Sequence, residues 1–312
     1  MIKPIIRHTT RVVVLILASA LALAACSSSS KSTTSTTGTT STSSTTNKAL
    51  TTKANLAAQA TLRNSATKTA AAGGVNLTLN FSITNPSTKG TSTSTAIAGS
   101  MSGTYNMSIN EGNLTITITT PQTIAQLIGG HLHLSILNGN AYFIPPSHST
   151  LANTLGTSAG QYAEVPLSTL STLLQLGQLG GSIINPSGLF NLFNTKAMLV
   201  TDLGQATING VSTTHYTTSV NLDTAIADGG PAKGIYQALK STSPKETNAT
   251  SQVWIGTSND RLRQVSLSIS DLPSGLVWNK GATMSITLDI TQFGIPVNVT
   301  PPPPSQVKQV TI

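Results

Sequence analysis

The chain carries one thiol, Cys26, and it stands directly after Leu23-Ala24-Ala25 at the end of an apolar run. A thiolate is a strong nucleophile and the natural partner for a thioether bond. Lys3, Arg7 and Arg11 form a basic n-region, Val12 to Ala25 form an apolar h-region, and the small Ala24 and Ala25 suit a cleavage pocket. This pattern predicts a secretory leader that ends at a cysteine. A transmembrane helix would need roughly 20 apolar residues, more than Val12 to Ala25 provide.

Other residues that could do chemistry are sparse. His131-Leu132-His133 places two imidazoles on one face of a strand, a spacing that chelates zinc if His148 or His215 converges as a third ligand. Both imidazoles fall on the polar face opposite Leu132 and Leu134, where water solvates them, so no metal site is expected. The nine carboxylates are scattered from Glu111 to Asp289 without a close pair on one strand face. Asp223 and Asp228 read as helix-cap and loop residues. Ser65-Ala66-Thr67-Lys68 matches Ser-x-x-Lys, but neither Ser-Asp-Asn nor Lys-Thr-Gly accompanies it. Nucleophile-elbow, phosphate-loop, dinucleotide and paired-cysteine motifs are missing. The expectation is therefore a non-enzyme without a cofactor. Trp254, between Val253 and Ile255, should project to the outer face of its strand, as a packed edge residue or a partner contact.

From Ser27 to Thr46 every residue is Ser or Thr except Lys31 and Gly38, so nothing there can be buried in a core. The organisation read from composition is a leader at 1–25, a cysteine with a disordered tether at 26–47, and a single domain at 48–312. A tether of about 20 residues spans ~70 Å at full extension and roughly 25 Å as a relaxed coil. The formal net charge is +8. Without Lys3, Arg7 and Arg11, fourteen basic residues face nine acidic ones, and Lys31, Lys48, Lys53, Arg63 and Lys68 all precede the first carboxylate, Glu111. From residue 70 onward nine basic and nine acidic residues balance. The excess belongs to the membrane-proximal end, where it suits an anionic lipid surface or serves solubility, and it does not describe a nucleic-acid groove.

Leu50, Ala54, Ala57, Ala58 and Leu62 recur near helical spacing and predict a helix over 49–72, stopped by Gly73-Gly74. The period then changes to two. Val75-Leu77-Leu79-Phe81-Ile83 alternate with polar residues, as do Tyr105-Met107-Ile109, Leu114-Ile116-Ile118, Leu132-Leu134-Ile136, Tyr216-Thr218-Val220-Leu222, Val265-Leu267-Ile269 and Met284-Ile286-Leu288-Ile290. Such strands have one apolar and one hydroxyl-bearing face. Asn138-Gly139 and Asn209-Gly210 are hairpin signals. Between Pro166 and Phe193 the leucines return to helical spacing up to Leu179, and Asn185-Pro186-Ser187-Gly188 leads into a second short helix. The predicted class is α+β: a large curved antiparallel sheet, a half-barrel, with a few helices covering its apolar concave face.

The sequence around Cys26 resembles the lipobox of bacterial lipoproteins, which implies diacylglyceryl transfer to its thiol and cleavage before it. An ordered set of further segments resembles the LppX/LprG lipoproteins of actinobacterial envelopes. These are Asn138-Gly139-Asn140-Ala141-Tyr142, Asn185-Pro186-Ser187-Gly188-Leu189 with Leu192, Asn209-Gly210-Val211-Ser212-Thr213-Thr214-His215-Tyr216, Val253-Trp254-Ile255 with Arg261-Leu262-Arg263, and Phe293-Gly294-Ile295-Pro296-Val297 before Pro301 to Pro304. The LolA and LolB carriers are similar in architecture. The resemblance implies a half-barrel that holds acyl chains of a lipid or lipoglycan. It also implies a monomer anchored by lipid to the outer face of the cytoplasmic membrane, and an envelope transporter as a further partner.

On that reading the cavity would be lined by Leu77, Leu79 and Phe81 of one strand, Ile116 and Ile118 of a second, and Leu134 and Ile136 of a third. Leu170, Leu173, Leu174, Leu189 and Phe193 would cover it from the helices. The same periodicity also describes a structural or protein-interaction lipoprotein with a filled core and no ligand. The leader makes a direct prediction: Cys26→Ala abolishes incorporation of a fatty-acid analogue during metabolic labelling, because the chain has no second thiol to accept the lipid.

Overall fold

The computed structural model describes residues 52–87, 94–173, 186–230, 232–242, 248–272, 274 and 278–310. The expected leader and tether lie outside the described residues. Helix α1 (Lys53–Ala70) comes first, followed by β1 (Gly74–Thr84), β2 (Thr95–Asn106) and β3 (Glu111–Thr120). Next come α2 (Gln122–Leu127), β4 (His131–Leu137), β5 (Asn140–Phe143), α3 (Thr150–Leu155), β6 (Tyr162–Pro166) and α4 (Leu167–Leu173). A short α5 (Pro186–Leu189) runs into a 3-10 turn, Phe190–Phe193. Strands β7 (Met198–Ile208) and β8 (Val211–Asn221) lead to α6 (Leu222–Asp228) and α7 (Lys233–Thr242). The chain ends with β9 (Asn248–Gly256), β10 (Leu262–Leu272), β11 (Ala282–Phe293) and β12 (Val307–Gln309).

All twelve strands join one sheet, in the order β12-β6-β5-β4-β3-β2-β1-β11-β10-β9-β8-β7. Two meanders, β1 to β6 and β7 to β11, meet where β1 pairs antiparallel with β11, Leu79 opposite Leu288 and Phe81 opposite Ile286. Neighbours are antiparallel throughout except β12, which lies parallel to β6. Connections therefore alternate between two ends of the sheet. One end carries the start of α1, the start of β7, helices α6 and α7, and the β10–β11 connection. The opposite end carries the hairpin turns Asn138-Gly139 and Asn209-Gly210, both residues of each at positive φ. That geometry is a type I′ turn and accounts for the Asn-Gly pairs.

The alternation read from the sequence produces the faces. In β1 Val75, Leu77, Leu79, Phe81 and Ile83 are buried in one apolar cluster, while Asn76, Thr78, Asn80 and Ser82 face outward. Some inward positions of β2 and β3 hold glycine instead. A Cβ on Gly99 would stand 2.5 Å from the Phe81 ring and 2.5 Å from the Thr117 carbonyl oxygen, and one on Gly112 would stand 2.6 Å from the Tyr105 ring. Glycine there admits bulky neighbours and permits a sharp bend. After β11 the chain crosses the outer face: the Ile295 amide donates to the Gly74 carbonyl (3.1 Å), and Asn113 Nδ2 donates to the Asn298 carbonyl (3.0 Å). It then supplies β12 at the far edge.

Several expectations are corrected. The first helix spans Lys53–Ala70, with Thr52 as N-cap, and Leu50 lies outside the described residues. Its inward face is polar: Asn55, Gln59, Ser65 and Thr69 are buried beside Leu62 and Ala66, whereas Ala54 and Ala57 are exposed and Leu56 is 52% exposed. Met107 and Ile109 fall in the turn after β2, with Ile109 58% exposed, and Leu222 begins α6. Asp223 lies in the first turn of α6, whose N-cap is Asn221, and Asp228 is the last residue of that helix.

The polar face of α1 has a structural cause. β7 is an edge strand, and its outward backbone groups need partners. Asn55 Oδ1 accepts from the Val200 amide (2.8 Å), while Asn55 Nδ2 (3.3 Å) and Gln59 Nε2 (2.6 Å) donate to the Met198 carbonyl. The Asn55 carboxamide thus bridges positions two apart, as the backbone of a further parallel strand would. At the helix's other end Thr69 Oγ1 accepts from the Leu262 amide (2.8 Å), so α1 runs diagonally from β7 to the start of β10. Asn55→Leu keeps the bulk but strands the Val200 amide, while Gln59 retains its bond to the Met198 carbonyl. The substitution should lower stability by about 1–3 kcal/mol, read as a reduced urea midpoint at unchanged m-value.

Candidate functional site

On the concave face Leu77, Leu79 and Phe81 of β1, Ile116 and Ile118 of β3, and Leu134 and Ile136 of β4 are all buried and belong to one continuous cluster. Leu170 of α4, Leu189 of α5 and Phe193 in the following turn pack into the same cluster. The side chain of Leu173, together with Leu174 and the rest of the expected helix up to Leu179, lies outside the described residues. The fold therefore brings the described members of the expected cavity set to one place, shared with large inward side chains such as Tyr105 and Met101.

A pocket of about 280 Å³ opens elsewhere, at the end of the sheet that carries the start of α1. Leu222, Leu239, Ala249 and Ile269 give it apolar walls, and Asn248, Thr250, Ser268 and Ser270 give it amide and hydroxyl groups. This composition follows from strand alternation. Ile269 points inward from β10 while its neighbours Ser268 and Ser270 point outward, so a pocket at the strand ends reaches both faces. None of these residues stood in the sequence-based set. Asn248 to Thr250 have no apolar period, and the amphipathic pattern Ile235, Tyr236, Leu239 of α7 was the available signal.

The pocket's helical wall is fixed by specific bonds. Asn221 Oδ1 caps α6 by accepting from the Thr224 amide (2.9 Å), and Lys240 pairs with Asp223 (3.2 Å) to tie α7 to α6. The Tyr236 hydroxyl, fully enclosed, donates to the Leu192 carbonyl (2.6 Å) and joins α7 to the Phe190–Phe193 turn. Burial pushes that phenol above its usual range. That turn is also held by Arg63 of α1, which donates to the carbonyls of Phe193 (3.3 Å) and Thr195 (2.9 Å).

The outer face carries the remaining candidates, spread apart. His131 and His133 are exposed on β4, with His133 Nδ1 bonded to Thr115 Oγ1 (2.9 Å). His215 of β8 lies across the sheet, stacked on Trp254 of β9 with ring centroids 4.3 Å apart and planes 6° from parallel. Its Nε2 meets Gln252 Oε1 (3.0 Å). Trp254 is thus half-buried on the outer face, and a neighbouring imidazole covers it. Arg261 and Arg263 lie over the Phe293 ring at 5.1 and 4.7 Å. Burial, then the charge of Arg261, lowers the pKa of Arg263. Among the described residues no group of three His, Cys, Asp or Glu side chains converges as a metal site.

The chain matches no protein-family model and no curated protein. Its neighbours among solved structures include LppX, LprF and LolA-superfamily proteins. Mycobacterium tuberculosis lipoprotein LppX is similar at 17% identity and a TM-score of 0.44, covering 79% of this chain and 100% of that one. LprF from Mycobacterium bovis is similar at 13% identity and a TM-score of 0.40, covering 79% and 97%. A LolA superfamily protein from Nitrosomonas europaea is similar at 11% identity and a TM-score of 0.27, covering 77% and 93%.

Tyr236→Phe tests the bond that holds the pocket's helical wall. Loss of the hydroxyl leaves the Leu192 carbonyl short of a donor, and the expected cost is about 1–2 kcal/mol in a urea titration.

Proposed function

We propose that the protein is a membrane-anchored envelope lipoprotein that binds acyl chains of a lipid or lipoglycan and carries or presents them. It acts as a carrier and not as an enzyme. The observation that carries this reading is the pocket between α6, α7 and the ends of β9 and β10, whose walls are apolar and whose rim is uncharged and hydroxyl-rich. An amphiphile matches both parts: its chain takes the leucine and isoleucine walls, and its head takes the amide and hydroxyls. The volume of about 280 Å³ is close to the lower end of ligand pockets, roughly 300 Å³, and suits a chain end better than a whole lipid.

From there the chain would extend along the concave face between the sheet and α4, against Leu77, Leu79, Phe81, Ile116, Ile118, Leu134 and Ile136. Leu170, Leu173, Leu174, Leu189 and Phe193 would cover it from the helical side. Cys26, with a diacylglyceryl group, would hold the domain at the outer face of the cytoplasmic membrane, since two or more acyl chains give stable attachment where one does not. A second reading has its own support. Leu79, Tyr105 and Ile136 have no exposed surface, which favours a structural lipoprotein with a filled core.

Ala249→Trp discriminates the two readings. Bulk placed in an empty pocket should weaken binding of a fluorescent fatty acid about tenfold or more, equivalent to about 1.4 kcal/mol, with the thermal midpoint retained. Native mass spectrometry of the parent protein from its own membrane should show a lipid adduct that the variant lacks. No adduct and no fatty-acid binding in the parent, with a lowered midpoint in the variant from about 1–3 kcal/mol of overpacking, would leave the filled-core reading standing.

A further inference from the structure

The two ends of the sheet differ in charge. Among the described residues, Lys53, Lys196, Lys233 and Lys280 are exposed at the end that carries the start of α1. Lys240, paired with Asp223, and Lys308, bonded to the Gly156 carbonyl, lie at that end as well. The carboxylates there are Asp223, Asp228 and Asp271. At the opposite end Lys68 is paired with Asp260 at 2.7 Å, Arg261 and Arg263 lie over Phe293, and Glu111 opens β3. Six described lysines against three described carboxylates thus leave the end that carries the start of α1 net positive.

The same end holds the start of α1 and the pocket. Asn55, in the first turn of α1, bonds to Met198, which is the register partner of Val220, itself the partner of Ala249 in the pocket wall. Two strand spacings, about 10 Å, therefore separate the helix start from the pocket. Cys26 precedes Thr52 by 26 positions, so a tether from a lipidated Cys26 would join the described domain at the start of α1. Two apolar side chains also stand out at this end, Leu56 at 52% exposure and Ile144 at 43%.

We propose that this lysine-rich end docks on an anionic phospholipid bilayer and turns the pocket mouth toward the membrane surface. The tether keeps the domain at high effective concentration beside the bilayer, so a weak attraction suffices to orient it. Lysines near an anionic surface supply that attraction, and salt screens it. Docking would let an acyl chain pass between bilayer and pocket without crossing water. The inference rests on the membrane-anchored part of the proposed function and not on the presence of a bound lipid.

The sole native thiol is consumed by the anchor, so introduced cysteines accept a fluorophore cleanly. Gly234→Cys places one on exposed α7, where a Cβ meets nothing within 4 Å, and Ser258→Cys places one at the opposite end. Each lipidated full chain is reconstituted in vesicles that contain phosphatidylglycerol and a headgroup quencher. The label at 234 should be quenched several-fold more than the label at 258. The difference should collapse in pure phosphatidylcholine, in high salt, and in a chain carrying Lys53→Glu, Lys196→Glu, Lys233→Glu and Lys280→Glu.

Equal quenching at both sites, or a difference that survives the four reversals and high salt, would overturn the proposal. The salt series uses the unreversed chain and stays decisive if the reversed one fails to fold. Fatty-acid binding measured in solution on the same samples separates the outcomes: it can persist while docking fails, and docking can persist without it.

Discussion

Residues Val75 to Thr84 pair with residues Thr283 to Phe293, and that pairing decides whether the chain makes one sheet or two. The Thr291 hydroxyl donates to the Asn76 carbonyl 215 positions away, so the join is built from contacts among the most distant in the chain. Each meander alone would end in an open strand with an apolar face uncovered on one flank. Joined, they present a single concave surface, and helices from both halves pack on it. The cost is a large loop-closure entropy, and the single cysteine means that no internal disulfide offsets it. Stability must come from the apolar cluster, and folding should be slow for its size because the decisive contacts are non-local.

A sheet this wide still has two edges, and the chain treats them differently. At β6 the C-terminal segment crosses the outer face and adds the three-residue β12, too short to invite a further strand. At β7 the helix α1 lays Asn55 and Gln59 against the strand's outward backbone. Beyond Val200 the strand bulges between Asp202 and Gly204, where the Gly204 amide turns to the Asp202 carboxylate (2.7 Å). A bulge with an acidic side chain disrupts any continuous template. Both devices spend polar groups on edge control, which is why α1 is anchored by amides where an apolar stripe would have been the simpler seat.

This accounts for what the sequence made legible. Strands β1, β3, β4, β10 and β11 were evident because most of their inward positions are large apolar residues at a period of two. β2 was not, because Gly99 and Gly103 occupy inward positions and break the period that marks a strand. β7 was hidden for the opposite reason: Thr201 to Gln205 are exposed, so neither face was selected for apolarity. The face of α1 was misread because periodicity weighs alanines as core, and backbone groups of a distant edge strand leave no trace in a helix's own pattern. The pocket escaped notice on similar grounds. Its walls come from four elements, and half of them are Asn, Thr and Ser that a linear reading assigns to the solvated face.

The division of the sheet into two surfaces explains why a pocket of mixed character lies at a strand end and not over the middle. Across the interior of the sheet the inward residues of β1, β3 and β4 are closed off by helices, and the outward hydroxyls never meet them. At the end of β10 that separation lapses. Ile269 still belongs to the apolar cluster while Ser268 and Ser270 belong to the outer surface, and α6 and α7 cover the former with Leu222 and Leu239. A ligand wholly apolar or wholly polar would leave half of such a wall unmatched, and unmatched polar groups carry a desolvation cost. An amphiphile avoids that cost, and the end at which it would enter is the end that carries the start of α1.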